Sequence, residues 1–149
     1  CLVDDKPLIA VSTLAALAAG VPCISHPVCA LLDARKEQVY AGLYDVSGGS
    51  PLEISPARAI EPQDLVEERS GKSTVFVGSG AETYATLIDE TPGSQRVPFY
   101  ANSLHAAAVG ALAWFEFDRG NIADLSTVEP DYLRAPDAKV SRKTGPAIK

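Results

Sequence analysis

The spacing of apolar residues along this chain switches repeatedly between the period of a strand and the period of a helix. Residues 37–46 alternate, so that the odd-numbered residues 39–43 fall on one face and the even-numbered residues 40–44 on the other. The apolar run 28–33 comes before this segment, and the two together predict a β-hairpin joined by residues 33–36. Further strands are predicted at residues 7–11, 52–60 and 74–77.

Helices are predicted between these strands from the residues that begin and end them. Ser12 or Thr13 can cap a first helix, because their side-chain oxygens accept from N–H groups of the first turn, and Gly20 can end it. Pro62 suits the first turn of a second helix that ends near Arg69. The first helix comes before the predicted hairpin and the second one after it.

The longest predicted helix lies in the last third of the chain. Asn102 or Ser103 can cap it, it runs to about Asp118, and Gly120 follows it. Its apolar residues cover more than one face, so we expect this helix to be buried on most sides. A shorter helix is expected at residues 81–88, directly after a glycine-rich turn.

This order of elements predicts a mixed α/β fold in which helices pack on a sheet. A length of 149 residues suits one domain or a large piece of one. The sequence contains no internal repeat and no linker, so residues 1–134 are predicted to form a single lobe. Residues 135–149 hold few apolar side chains and are predicted to be a flexible tail.

The composition narrows the classes of function. Apolar residues make up 46% of the chain and charged residues 21%, as in ordinary soluble globular proteins. The net charge is −6, and since nucleic-acid backbones are bound by clustered Lys and Arg, strong RNA binding by this chain alone is not expected. No apolar run approaches the length of a membrane span. Three cysteines in apolar surroundings favour reduced thiols in a cytoplasmic protein.

A candidate metal site is suggested by the spacing of Cys23, His26 and Cys29, to which Cys1 could add a fourth ligand. Structural zinc sites usually combine two close pairs of ligands, and the sequence offers no second pair. We therefore interpret these cysteines as buried or half-buried thiols and predict no metal.

The positions of Cys1 and of the two histidines raise two forms of nucleophilic catalysis. Cys1 is the first residue of the sequence and could act as an N-terminal nucleophile. A Ser-His-Asp triad would need His26 or His105, and neither accompanies a G-x-S-x-G elbow. The sequence therefore predicts no catalytic residue, and a hydrolase that uses Cys1 stays an alternative.

The turn formed by Gly78, Ser79 and Gly80 follows a predicted strand and precedes a predicted helix. Backbone N–H groups at such a turn can hold an anion, so these three residues are candidates for a nucleotide contact. The other interpretation is a tight turn, because Gly adopts unusual φ values at little steric cost. No Lys-Ser or Lys-Thr pair follows, which excludes a P-loop.

Asp33, Arg35 and Glu37 lie around the end of a predicted strand. Paired carboxylates can transfer protons in catalysis. Arg35 beside Asp33 would instead keep that carboxylate ionised. We therefore favour a salt-bridged turn between two strands.

In four of its segments the chain resembles the bacterial TsaB (YeaZ) family. The order and spacing of the segments are more specific than any one of them, and together they span nearly all of the chain. They are residues 7–14 (PLIAVSTL) with Ser12 and Thr13, residues 32–35 (LDAR) with Asp33 and Arg35 followed by Val39 and Tyr40, residues 77–80 (VGSG), and residues 129–134 (EPDYLR) with Glu129, Pro130, Tyr132 and Arg134.

The resemblance implies a fold and a function. The fold would be a ribonuclease-H-like lobe of the actin-like ATPase superfamily, in a protein with two such lobes. The function would be that of a non-catalytic scaffold, which pairs with the transferase TsaD and the ATPase TsaE to form N6-threonylcarbamoyladenosine at position 37 of ANN-decoding tRNAs. The tRNA would be contacted only indirectly, and ATP or ADP would bind at the partner interface. The resemblance is also compatible with a homodimer.

Two departures from the family pattern bear on this expectation. Family members begin with a strand that carries an Asp-Thr-Ser/Thr-like turn and later contain a Phe-Thr-Gly-x-Arg segment, and neither is in this sequence. We therefore expect the C-terminal part of a two-lobed protein, without its N-terminal segment. The metal ligands of TsaD have no counterpart at His26 or His105, which favours a non-catalytic role. A kinase-like ATPase, or a glycoprotease of the M22 type as relatives have been described, is the alternative.

Tyr132 and Arg134 are the residues of the last segment that we expect to act as structural anchors. A tyrosine can bury its ring while its hydroxyl forms a hydrogen bond. An arginine offers a planar fork of N–H donors.

Overall fold

The computed structural model describes residues 6–22 and 24–133 of the chain. Cys1, Cys23, Arg134 and the predicted tail lie outside the described residues. In chain order the elements are α1 (Thr13–Ala19), β1 (Val28–Arg35), β2 (Gln38–Asp45), β3 (Leu52–Ile60), α2 (Pro62–Arg69), β4 (Thr74–Val77), α3 (Ser79–Thr83), α4 (Ala85–Asp89), β5 (Ser94–Arg96), a 3-10 turn (Phe99–Ala101) and α5 (Ala106–Asp118).

A five-stranded mixed sheet forms the centre of the described structure, in the order β3-β2-β1-β4-β5. β2 is antiparallel to both of its neighbours, β1 and β3, whereas β1, β4 and β5 are parallel to one another. In the hairpin, Leu31 lies opposite Ala41 and Asp33 opposite Val39. The predicted mixed α/β fold and the predicted hairpin are confirmed.

Alternate residues of β1 and β2 face opposite sides of the sheet, as the sequence pattern predicted. On one side, Val28, Ala30 and Tyr44 pack with the buried residues of α1. On the other side, Cys29 and Val39 pack with residues of α2, α3 and α4. The sheet is therefore the middle of three layers, and each of its faces has an apolar core of its own.

The first two helices begin where the sequence predicted. The Ser12 hydroxyl accepts a hydrogen bond from the Ala15 N–H at 3.3 Å, which caps α1, and Gly20 follows the end of that helix. Pro62 is the first residue of α2, a position whose N–H would have no acceptor within the helix, so the N–H that proline lacks is not needed there. Both helices then lie across the sheet on opposite faces.

Residues 7–11 do not form a strand of the sheet, contrary to the prediction. Leu8 instead forms an isolated antiparallel bridge with Ala123, whose N–H donates to the Leu8 carbonyl at 2.9 Å. The apolar run has a pairing partner, but that partner is the segment after α5. A local pattern cannot identify a partner so far along the chain.

The predicted helix at residues 81–88 is interrupted at Tyr84, which separates α3 from α4. Tyr84 has φ −108° and ψ 32°, values outside those of an α-helix. β5 and the 3-10 turn were not predicted, because three residues are too few to show a period. Asn102 and Ser103 do not cap α5, whose N-cap is His105. The Asn102 side chain instead forms hydrogen bonds with Gly78 and Glu82.

α5 is not buried on most sides, contrary to the prediction. None of its 13 residues is buried, and Trp114 is 67% exposed. The physical reason is that α5 packs on α1, which already covers that face of the sheet. An apolar helix surface of this kind marks a site of contact with another part of a protein or with a partner.

We predict that Gly78→Ala destabilises the fold by about 3 kcal/mol or more. Gly78 has φ +108°, and a Cβ atom there would lie 2.1 Å from the Leu31 carbonyl oxygen. The measurement is the free energy of unfolding from urea denaturation. Gly110→Ala is the matched control, because that glycine lies inside α5 with nothing within 4 Å of an added Cβ. This control should gain about 0.5–1 kcal/mol, and equal losses in both variants would contradict the prediction.

Candidate functional site

The carboxyl ends of β1 and β4 lie side by side at one edge of the sheet, since these two strands are parallel neighbours. In open α/β sheets this edge is the usual position of functional sites. Two of the segments singled out in the sequence meet here, because the Ser79 hydroxyl accepts a hydrogen bond from the Asp33 N–H at 3.3 Å. The structure thus brings the LDAR segment and the VGSG segment together.

The VGSG turn is held by close packing and by an amide side chain. Added Cβ atoms would lie 2.1 Å from the Leu31 carbonyl oxygen at Gly78 and 2.9 Å from the Leu31 Cβ at Gly80. The Asn102 side-chain oxygen accepts from the Gly78 N–H, and its Nδ2 donates to the Gly78 carbonyl at 3.1 Å and to Glu82 at 2.8 Å. An anion at the Gly78 N–H would have to displace Asn102, and the nucleotide contact stays a prediction.

The tip of the β1–β2 hairpin has an unusual backbone. Arg35, Lys36 and Glu37 have φ values of 59°, 50° and 57°, in the left-handed region that L-residues other than Gly, Asn and Asp rarely adopt. The Asp33 carboxylate accepts from the Arg35 backbone N–H at 2.8 Å and so fixes the start of this turn. All three tip residues are exposed, and the turn presents their charged side chains to solvent in one held conformation.

A cavity of about 690 Å³ lies beside this edge, on the α1 side of the sheet. We call it the motif cavity, because most of the segments that resemble the family line it. Its lining residues are Ala10, Val11, Ser12, Thr13 and Leu14 at the start of α1, Leu32, Tyr40 and Ala57 from the sheet, and Glu129, Pro130, Asp131, Tyr132 and Leu133 from the extended segment after α5.

The predicted site residues divide into three groups. Ser12, Thr13, Tyr40, Glu129, Pro130 and Tyr132 line the motif cavity. Asp33 and Arg35 lie at the end of β1, next to the lining residue Leu32 but outside the lining, and Arg134 lies outside the described residues. Tyr132, which we expected to bury its ring, is 77% exposed. Leu133 is the residue of this segment that packs against the core beneath α1.

Ser12 connects the motif cavity to the core. Besides capping α1, its hydroxyl forms a hydrogen bond with the phenol of Tyr44, which is 2% exposed. Burial raises the pKa of Tyr44, and the hydrogen bond from Ser12 lowers it in part. The tyrosine is therefore neutral at ordinary pH, and Ser12 has a structural role on the cavity wall.

The charged residues on the wall of the motif cavity are both acidic. Glu129 and Asp131 contribute carboxylates, and the lining residues within the described ranges 6–22 and 24–133 include no Lys, Arg or His. The remaining wall is apolar or bears hydroxyl groups. The described part of this wall fits an apolar group with a nearby cation.

The residues weighed for metal or nucleophilic chemistry are not brought together in the described part of the chain. Cys29 is a buried residue of β1 whose side chain packs on the α2 face of the sheet, and desolvation raises the pKa of its thiol to about 12. His26 is exposed. His105 is the N-cap residue of α5. Within residues 6–22 and 24–133, no three His, Cys, Asp or Glu side chains are grouped to hold a metal ion. Cys1 and Cys23 lie outside the described residues.

Several residues of the site were not found from the sequence. Leu32 and Ala57 line the motif cavity but look like ordinary strand residues, and Asn102 was interpreted as a helix cap. No local signal in the sequence identifies the role of Asn102, because its partners Gly78 and Glu82 lie 24 and 20 residues away in the chain. None of the helices in the described ranges has both the length and the apolar character needed to cross a bilayer.

The topology defines the class of the protein. A sheet in which the second of five strands runs against the rest, with helices on both faces, is a ribonuclease-H-like lobe of the actin-like ATPase superfamily. A family model described as "TsaD: tRNA N6-adenosine threonylcarbamoyltransferase" matches residues 2–142. The chain belongs to the TsaB/YeaZ family, among the proteins that this TsaD model covers.

Individual relatives agree with this assignment. The chain is 28% identical over 137 residues to the tRNA threonylcarbamoyladenosine biosynthesis protein TsaB of Bacillus subtilis (strain 168), covering 91% of this chain and 59% of that protein. A Pseudomonas aeruginosa protein described as similar to peptidase YeaZ has a TM-score of 0.69 and 26% identity, covering 87% of this chain and 60% of that one. YeaZ from Pseudomonas aeruginosa has a TM-score of 0.67 and 26% identity, covering 86% and 60%. The chain thus spans about three fifths of the length of these relatives.

We predict that Glu37→Gly stabilises the fold by about 0.5–1 kcal/mol. Glu37 has φ 57°, and a glycine accepts this conformation without the steric strain of a side chain. Glu53→Gly is the control, because Glu53 is an exposed residue inside β3. That change should cost about 0.5–1 kcal/mol. Urea denaturation of both variants decides the point, and a loss of stability in Glu37→Gly would show that the hairpin tip is not strained.

We predict that the Cys29 thiol resists alkylation in the native protein at mildly alkaline pH. Its burial raises the thiol pKa to about 12, so the reactive thiolate is scarce. Treatment with iodoacetamide followed by peptide mass spectrometry measures labelling at each cysteine. The same peptide from guanidinium-unfolded protein is the control and should be labelled fully. Rapid native labelling of Cys29 would contradict the burial described for it.

Proposed function

We propose that the protein containing this chain is a non-catalytic scaffold subunit, which pairs with a TsaD-type transferase in forming N6-threonylcarbamoyladenosine at position 37 of ANN-decoding tRNAs. Membership of the TsaB/YeaZ family supports a role in this modification. The proposal goes beyond family membership in one respect: the partner catalyses the reaction, and this subunit supplies a binding surface.

One observation carries this proposal: within the described residues, three of the four family segments converge on an open cavity rather than on a cluster of reacting groups. Ser12 and Tyr40 come from elements far from Tyr132 in the chain, yet they line one cavity with it. Ser12 is engaged in capping α1 and in bonding Tyr44, so its hydroxyl serves structure. The exposed ring of Tyr132 at the rim is well suited to a protein contact, because tyrosine buries a large apolar area with little loss of conformational freedom.

The charge of the motif cavity indicates what the partner brings to it. Glu129 and Asp131 form an acidic rim with apolar and hydroxyl groups beneath it. We propose that a partner segment with an apolar side chain and a neighbouring Lys or Arg occupies the cavity. TsaD is the partner that we assign to this surface, and TsaE joins the same assembly.

The cofactor and the substrate are assigned to the assembly rather than to this chain. ATP or ADP would bind at the partner interface, where cations from the partner would face its phosphates, because the described wall of the motif cavity carries none. The tRNA would be contacted indirectly, in keeping with the net charge of −6. We place the protein in the cytoplasm, and a homodimer stays an alternative state of the free subunit.

The apolar surface of α5 supports a role in assembly as well. Trp114, Phe115 and Phe117 are 67%, 45% and 45% exposed on one 13-residue helix. Large exposed apolar surfaces mark sites of protein contact. This support is independent of the motif cavity, because α5 is not among the lining residues.

The test uses the full-length protein that contains this chain and its TsaD partner. We predict that Tyr132→Ala weakens the complex by about 2 kcal/mol, as expected for a tyrosine at the centre of an interface. Tyr100→Ala is the matched control, because Tyr100 is 71% exposed and lies outside the motif cavity. Isothermal titration measures the affinity, and mass spectrometry of tRNA nucleosides from a deletion strain measures the modification.

The scaffold proposal expects weaker partner binding and a lower level of the modified nucleoside together in Tyr132→Ala, with both unchanged in Tyr100→Ala. It is wrong if the wild-type protein does not bind TsaD, or if deletion of its gene leaves the modification intact. Equal affinities of the two tyrosine variants would remove the motif cavity from the interface.

A further inference from the structure

A second cavity, of about 260 Å³, lies on the face of the sheet opposite the motif cavity. We call it the basic cavity. β2 and β3 form one side of it, and the end of α2 with the residues that follow forms the other. Its floor includes the buried thiol of Cys29, and Leu43 and Leu65 give it apolar walls. None of these lining residues, all from the described part of the chain, belongs to the family segments named above.

The charges around the basic cavity are opposite in sign to those of the whole chain. Arg58, Arg69 and Lys72 line it, and Glu68 is the acidic residue among its lining residues. Glu68 forms an ion pair with Arg58. In the part of the chain that the structure describes, Arg69 and Lys72 have no carboxylate partner, although the net charge of the chain is −6.

Arg69 is held in place by groups that do not neutralise its charge. Its Nε and Nη2 both donate to the hydroxyl oxygen of Thr74, at 3.0 and 2.8 Å. Thr74 is 1% exposed, and its hydroxyl donates to the Lys72 carbonyl at 3.0 Å. The guanidinium is therefore fixed on a buried polar anchor, while its other N–H donors are not taken up by this contact.

Lys72 is placed beside it by a similar arrangement. Its Nζ donates to the Glu68 carbonyl at 2.9 Å, which leaves two further donors on the ammonium group. The positive charges act on the cavity floor, since Arg69 and Arg58 oppose the burial that raises the pKa of Cys29. Fixed cations with spare donors beside an apolar wall are the arrangement that binds an anion carrying an organic group.

We propose that the basic cavity binds a small phosphate monoester. Arg69 and Lys72 would donate to the phosphate oxygens, and Leu43 and Leu65 would contact the organic part of the ligand. The volume of about 260 Å³ lies just below the usual range of ligand cavities, which limits the occupant to a small molecule. The site is independent of the scaffold proposal, because it lies on the other face of the sheet.

The experiment titrates the full-length protein that contains this chain with phenyl phosphate and follows the backbone amide signals by NMR. We expect saturable shifts at Leu43 and Ser55, which line the cavity, and weaker binding of inorganic phosphate, which has no apolar part. Lys72→Gln should weaken phenyl phosphate binding about tenfold, as for loss of a hydrogen bond to a charged group. Glu68→Gln should strengthen it several-fold, because Arg58 is then released from its ion pair.

Arg119→Gln is the control, because it removes the same charge from the exposed residue that follows α5 and should leave binding unchanged. Equal weakening in Lys72→Gln and Arg119→Gln would mean general charge attraction and would overturn the proposal. Shifts confined to other regions of the chain would also overturn it. A short single-stranded RNA is the second arm: if it binds more tightly than phenyl phosphate and displaces it, the phosphate recognised belongs to a nucleic-acid backbone, and the assignment to a small monoester is wrong.

Discussion

The close approach of the Gly78 backbone to the Leu31 carbonyl is the constraint on which the rest of the site depends. With 2.1 Å between that oxygen and an added Cβ, β4 can leave the sheet at this point only through a glycine. The approach places Ser79 against the Asp33 N–H and opens the turn to Asn102. This one close contact therefore fixes where β4 ends and α3 begins. It also places the Gly78 turn where Asn102, which follows β5, can bond to it.

The two faces of the sheet carry surfaces of opposite character. Because side chains alternate along a strand, Cys29 and Leu32, which are three residues apart on β1, belong to cavities on different sides of the sheet. The motif cavity is acidic and lined by the segments that resemble the family, whereas the basic cavity is lined by Arg69 and Lys72 beyond those segments. A lobe built this way can bind a protein on one side and a small anion on the other without competition between them.

The segments after β5 join the lobe more loosely than the sheet does. Residues 129–133 form one wall of the motif cavity, and Leu133 packs against the core beneath α1, but Tyr132 and the aromatic residues of α5 stay exposed. The relatives are longer than this chain, which spans about three fifths of their length. Among the described residues, the exposed aromatic side chains of α5 and the exposed rim of the motif cavity are both consistent with a lobe that works in contact with other protein surfaces.

The sequence by itself determined the local elements: the alternation in residues 37–46 predicts β2, and the polar cap at Ser12 and Pro62 predict the starts of two helices. It also identified the segments that line the motif cavity, though not that Ser12 and Tyr132 meet there, because contacts between distant segments leave no local period. Only the tertiary structure decided that α1 covers the sheet and leaves α5 exposed, that Asn102 bonds Gly78 rather than capping a helix, and that uncompensated cations gather around Cys29. These outcomes depend on which surfaces pack against the sheet, and an apolar pattern indicates how much surface is buried but not which surface covers it.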